Sequence, residues 1–120
     1  MATQVTDTAQ VLSHHLKALG DGNLDEVLSD YGEDSIVVTP DGTVKGLHGI
    51  RALFKGFLSG LFEPGTYDLT MDTRQVEGEV ALIIWRAKCA SADIVFGTDT
   101  FVVRGGKIVA QTYGAKVEPR

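Results

Sequence analysis

The hydrophobic period changes to two from Tyr67 on, and that change limits the fold more than any other feature. Up to about residue 61 the apolar residues recur mostly at helical spacing, with one short strand between helices; from Tyr67 onward they recur at every second position. Leu12, His15, Leu16 and Leu19 fall at i, i+3, i+4 and i+7, one face of a helix, and Gly20-Asp21-Gly22 stops it. Asn23 with Glu26 three residues on forms a capping-box-like start for a second helix. Its apolar stripe is Leu24, Val27, Leu28 and Tyr31, and Gly32 ends it. Ser35 to Thr39 is a short β-branched strand. Thr39-Pro40-Asp41-Gly42 is a turn, with Pro presetting φ at the second position and Gly at the fourth. A third helix carries Ile50, Leu53, Phe54, Phe57, Leu58 and Leu61 on one face and stops before Pro64-Gly65.

In the second half Tyr67, Leu69 and Met71 alternate with Asp68, Thr70 and Asp72. Glu77-Gly78 turns the chain into a strand from about Glu79 to Cys89. A loop at Ser91-Ala92-Asp93 precedes a strand from Ile94 to Arg104. Gly105-Gly106 is a two-residue hairpin turn that needs positive φ, and Lys107 to Tyr113 is the last strand. Helices first and an antiparallel meander afterwards predict an α+β fold. With 120 residues, 43% of them hydrophobic, residues 1–120 make one domain with a real core.

One parity of the strand around Trp85 reads Ala81, Ile83, Trp85, Ala87, Cys89. The other reads Val80, Leu82, Ile84 before Arg86 and Lys88. A sheet apolar on both faces needs a second cover, and three helices are too few to supply it. The expectation is a two-fold homodimer through the outer sheet face; the alternative is that the parities mix along a twisted sheet. The chain has 16 acidic and 11 basic residues, net charge -5, which argues against a nucleic-acid partner. The apolar run that ends at Trp85 is far short of the roughly 20 residues that span a bilayer, so no membrane partner is expected. Met1-Ala2-Thr3-Gln4 carries no basic segment ahead of an apolar stretch, and Cys89 is the single cysteine; a reducing, cytoplasmic setting fits both.

Three stretches together resemble the nuclear-transport-factor-2-like superfamily, and within it the SnoaL-like and ketosteroid-isomerase-like branch. They are Leu24-Asp25-Glu26-Val27-Leu28-Ser29-Asp30-Tyr31-Gly32-Glu33-Asp34-Ser35; Thr39-Pro40-Asp41-Gly42 followed by Lys45-Gly46-Leu47-His48-Gly49-Ile50-Arg51; and Asp99-Thr100-Phe101-Val102-Val103-Arg104-Gly105-Gly106-Lys107-Ile108. The resemblance implies a cone, a cystatin-like α+β roll, with three N-terminal helices packed on a strongly curved antiparallel sheet around a pocket, and a frequent dimer. It is specific for fold and weak for function, since isomerases, cyclases, epoxide hydrolases and binding modules share the scaffold.

Asp99 is the leading candidate for chemistry. It sits between Thr98 and Thr100 in an otherwise apolar strand, where aspartate is disfavoured. Facing the pocket, it would be desolvated, with its pKa raised toward use as an acid or base. Facing outward, it would pair with Arg86 or Arg74. His15 holds an apolar stripe position where the family's pattern places a hydrogen-bonding tyrosine; it can donate in that tyrosine's place, or it is simply a core residue. His14, about 100° round the helix, reads as solvated. By resemblance Tyr31 lies on the pocket floor, and Gln111 and Tyr113 share the inward parity of the last strand. Phe54, Phe57, Met71 and Trp85 would supply apolar walls, each equally explicable as core.

Thr39 stands where the ketosteroid isomerases carry their catalytic aspartate, so classical ketosteroid isomerisation is disfavoured. The last strand lacks the acidic residue of the epoxide hydrolases. His14, His15 and His48 lack metal-ligand spacing, and no phosphate loop or nucleophile elbow occurs, so neither metal nor organic cofactor is expected. Three readings follow. One is an enzyme that binds a small, largely apolar, carbonyl-bearing molecule, with Asp99 as acid or base and His15, Tyr31 or Tyr113 as donors. The second is a pocket that only binds a small ligand. The third is a dimerising interaction module whose cavity is incidental.

Overall fold

A computed structural model describes residues 3–120, with side chains from Asp7 onward. The first helix, α1, runs Thr3–Asp21 and stops where Gly22 takes φ 69°. Asn23 then caps α2, Leu24–Leu28, its side-chain oxygen accepting the Glu26 N–H at 3.2 Å. Half of the expected capping box forms; the Glu26 carboxylate instead meets His14 Nε2 at 2.8 Å. This helix is shorter than its periodicity suggests. Ser29 closes it through its hydroxyl, which donates to the Glu26 carbonyl, so Tyr31 begins strand β1, Tyr31–Thr39, rather than completing a helical stripe.

Pro40 and Asp41 turn β1 into β2, Gly42–Lys45, a strand that periodicity alone does not reveal. Helix α3, Gly46–Leu58, follows, burying Ile50 and Phe54. Four long strands complete the chain: β3, Asp68–Glu77; β4, Val80–Lys88; β5, Ala92–Arg104; β6, Lys107–Pro119. At the β5–β6 hairpin Gly105 and Gly106 have φ 59° and 75°, the left-handed conformation the two-residue turn requires.

The sheet order is β2-β1-β6-β5-β4-β3, antiparallel except where β1 lies parallel to β6. Register irregularities fall side by side across three strands, at Met71/Thr73, Trp85/Ala87 and Ile94/Phe96. Bulges aligned in this way bend every strand along one line and curl the sheet. Arg86 and Asp72, both at that line, clasp outside in a two-bonded ion pair of 3.0 and 3.1 Å. The helices pack on one face of this strongly curved sheet, so the expected α+β cone is the observed architecture. Leu12, Ile50, Phe54, Phe101 and Ile108 are among its most buried side chains.

Candidate functional site

The concave face and the helices leave a cavity of about 230 Å³ between them. Helix α1 brings His15, Leu16 and Leu19 to it, and α3 brings Leu53, Phe54 and Phe57. The strands supply Met71, Ile83, Trp85, Asp99, Phe101, Gln111 and Tyr113. The alternation of the strands explains the selection. Gly97, Asp99, Phe101 and Val103 share the inward parity of β5, and cross-strand pairing sets Ile83 and Tyr113 on either side of Asp99.

Asp99 therefore points inward and is 7% exposed. The outward pairing with arginine does not occur: Arg86 holds Asp72, and Arg74 donates to Ser13 Oγ at 2.6 Å. Instead the Trp85 indole N–H donates to Asp99 Oδ1 at 2.8 Å, and the Gln111 amide donates to Oδ2 at 2.9 Å. The orientation of that amide is fixed from behind, because the Tyr31 hydroxyl donates to Gln111 Oε1. A relay thus runs Tyr31, Gln111, Asp99, Trp85. Burial pushes the Asp99 carboxyl up to about 6, while the two N–H donors hold it back.

Gly97 makes the Trp85 contact possible. It pairs directly across from Trp85, and a Cβ there would lie 2.3 Å from Trp85 Cε2. The indole lies flat over bare backbone, which lets its N–H reach a carboxylate two residues further along β5.

His15 is 1% exposed and lines the cavity. Its ring meets Tyr31, Phe54 and Phe101 edge-on at 5.9, 5.7 and 5.3 Å. Burial, with a smaller push from His14, lowers its pKa to about 3, so the imidazole is neutral. Its Nδ1 has no hydrogen-bond partner. His14 is not simply solvated: its two ring nitrogens bridge Asp30, at 2.7 Å, and Glu26.

A second aromatic group also lines the cavity. Phe62 packs on Phe57, Tyr67 and Trp85, and Trp85 stacks on Tyr113 with centroids 6.5 Å apart. Phe54, Phe57, Met71, Trp85, Gln111 and Tyr113, the wall and ligand-orienting residues expected from the sequence, all line the cavity. Tyr31 does not; it is buried behind the lining, its hydroxyl donating to Gln111 and its ring packed on His15 and Phe54. Phe62 and Tyr67 were missed. Tyr67 shares the strand parity of Met71, which could have found it; Phe62 lies just before the Pro64-Gly65 turn, outside both periodicities. Among the described residues no three His, Cys, Asp or Glu side chains lie close enough to hold a metal, and no helix is long and apolar enough to cross a membrane.

A SnoaL-like domain family matches residues 12–111. The chain belongs to the SnoaL-like family. Among solved structures, this SnoaL-like domain is similar to a nuclear-transport-factor-2-like protein of unknown function from Mesorhizobium loti, at 18% identity and TM-score 0.79, over 94% of this chain and 93% of that one. A candidate ketosteroid isomerase from Kribbella flavida DSM 17836 shares 15% identity at TM-score 0.78, over 94% and 80%. An epoxide hydrolase from M. tuberculosis shares 14% at TM-score 0.72, over 93% and 84%. At these identities the likeness establishes the shared fold. No curated protein is significantly similar to the chain in sequence.

Proposed function

We propose that this SnoaL-like domain is a cofactor-independent isomerase, cyclase or hydrolase acting on a small, largely apolar, carbonyl-bearing molecule, with Asp99 as its acid/base. The observation that carries the reading is the convergence of Trp85, Gln111 and, behind it, Tyr31 on one buried carboxylate in an apolar cavity. Donors on both oxygens aim the carboxylate and favour its ionised form, while burial keeps its proton affinity near that useful in neutral solution. In the simplest step a C–H bond next to the carbonyl breaks. Its proton goes to an Asp99 oxygen, and its electron pair moves into the enolate. Returning that proton to the same or a conjugated carbon restores Asp99. Neutral His15, with an uncommitted ring nitrogen, and Tyr113 are the donors for the enolate oxygen. The test is exchange of the α-hydrogens of acetonaphthone in heavy water, followed by NMR. The wild type should accelerate exchange, and Asp99→Asn should lower the rate by about 10²–10⁴-fold; equal rates would remove the catalytic role.

A non-catalytic ligand-binding role has one observation in its favour. Thr39, in place of a second carboxylate, is used by the β1–β2 turn, where its hydroxyl donates to the Gly42 carbonyl and accepts the Asp41 N–H. Asp99 is then the only carboxylate among the described residues that line the cavity. Binding of acetonaphthone without exchange would select this reading. We further propose a homodimer through the outer sheet face and a cytoplasmic setting. Exposed Val38, Val80 and Phe96 support the first, and the free, buried thiol of Cys89 supports the second.

A further inference from the structure

The cavity is electrostatically one-sided. Its wall is almost wholly apolar and aromatic, and no Lys or Arg is among the described residues that line it. The groups that face Asp99 can be named element by element. Helix α1 presents His15 to the cavity, β4 presents the Trp85 N–H, and β6 presents Gln111 and Tyr113, with Tyr31 of β1 behind them. Helix α3 contributes only apolar side chains there. None of these supplies a positive charge, since burial keeps His15 neutral. The carboxylate therefore has dipoles for partners and no counter-ion. In a low-dielectric cavity such a charge repels a second anion far more strongly than it would in water.

We infer that Asp99 also acts as a charge filter, admitting uncharged carbonyl compounds to the cavity and rejecting ligands that carry a carboxylate or phosphate. The inference rests on the reading of this cavity as the ligand site and narrows it. The substrate is a neutral ketone, aldehyde or ester small enough for about 230 Å³, not a free acid and not a phosphate-bearing conjugate whose charged part must enter. Protonating Asp99 removes the barrier, so anion rejection weakens as pH falls through about 6.

A matched pair of probes tests it. Acetonaphthone and naphthoate have the same two-ring body and differ in charge, and Trp85 at the cavity wall reports binding by fluorescence. At about pH 8 naphthoate should bind more weakly than acetonaphthone by well over tenfold. In Asp99→Asn the ratio of the two affinities at about pH 8 should fall by at least about tenfold, and the wild type should narrow toward about pH 5 by more than the variant does, since the neutral fraction of naphthoate grows equally for both. If that variant does not fold, Asp99→Ser carries the same comparison. A ratio that stays the same in the variant, or a wild-type narrowing no larger than the variant's, overturns the filter while leaving the ligand site standing. Failure of acetonaphthone itself to bind overturns both.

Discussion

Asp99 couples the site to stability at the scale of one residue. Its folded pKa of about 6 lies above the ordinary 3.8, so the folded state holds the proton more tightly than the unfolded chain does. The favourable contribution is fully present below about pH 4. It is lost as pH rises to about 6 and is gone above that, a swing of about 3 kcal/mol for a shift of this size. Urea unfolding of wild type and Asp99→Asn across that range should therefore show the wild type gaining on the variant toward acid; parallel curves would mean a solvated carboxylate. Gly97→Ala tests the support beneath it. The added Cβ would meet the indole at 2.3 Å, so Trp85 must leave Gly97 and release Asp99. A loss of about 1–3 kcal/mol is expected from the overpacking, with the Asp99 pKa rising further because one of the bonds that lowers it is gone. NMR titration of the carboxyl reads that rise, and Trp85→Phe, which loses the bond without the clash, should reproduce it. The sequence named Asp99 because an aspartate amid an apolar strand is out of place. It could not name Gly97, whose role exists only across the strand pair.

At the scale of elements, α1 and α2 are joined by His14, whose ring bridges Asp30 and Glu26. The hydrogen bond to Asp30, then the one to Glu26, raises the His14 pKa. Asp30 is also raised, because burial outweighs the help it gets from His14. Both groups bind protons more tightly in the folded chain. The stabilisation from His14 is present below about pH 6.5 and lost as pH rises through its higher folded value. His14→Gln should lower the Tm near pH 5 by an amount worth about 1 kcal/mol or less, given the exposure of the pair, and have no effect near pH 9. Equal effects at both values would mean packing, not charge. The elements themselves were largely legible, because a period of 3.6 or 2 is a local property of the chain. What was not legible depended on distant partners. Gly42-Thr43-Val44-Lys45 has too little alternation to read as a strand and becomes one by pairing with Ile36–Thr39. Tyr31 continues the helical spacing of Leu24 and Leu28, yet lies parallel to β6 beside Ile108. The same displacement turns it from a wall residue into the support of Gln111.

At the scale of the whole molecule, the outer sheet face remains to be covered. Val80, Leu82 and Ile84 of β4 point away from the core, and Thr98, Thr100 and Val102 of β5 pair across from them. Thr112 and Ala110 of β6 continue the surface to Ile36 and Val38 of β1. Charged side chains are absent from this central stretch and begin at its border, with Arg86 and Asp72 at the bulge line and Glu77 at the β3 edge. This uncharged run of threonine and small or branched apolar residues inside a charged rim is the face on which the proposed homodimer would form. Its isologous use, the same face on both subunits, leaves the concave face and its cavity free in each. A dimer of standard size buries about 800 Å² on each partner, so the loss of a few contacts at the centre should be felt in assembly first. Val38 and Val80 are 39% and 46% exposed in the single chain, which makes them safe places to put charge. The double variant Val38→Lys, Val80→Lys should fold, retain the Asp99 pKa, and sediment as a monomer where the wild type sediments as a dimer. A wild type that is monomeric at micromolar concentration would remove the dimer. A variant that stays dimeric would move the interface off this face, and in either case the cavity chemistry, which is built within one chain, would stand unchanged.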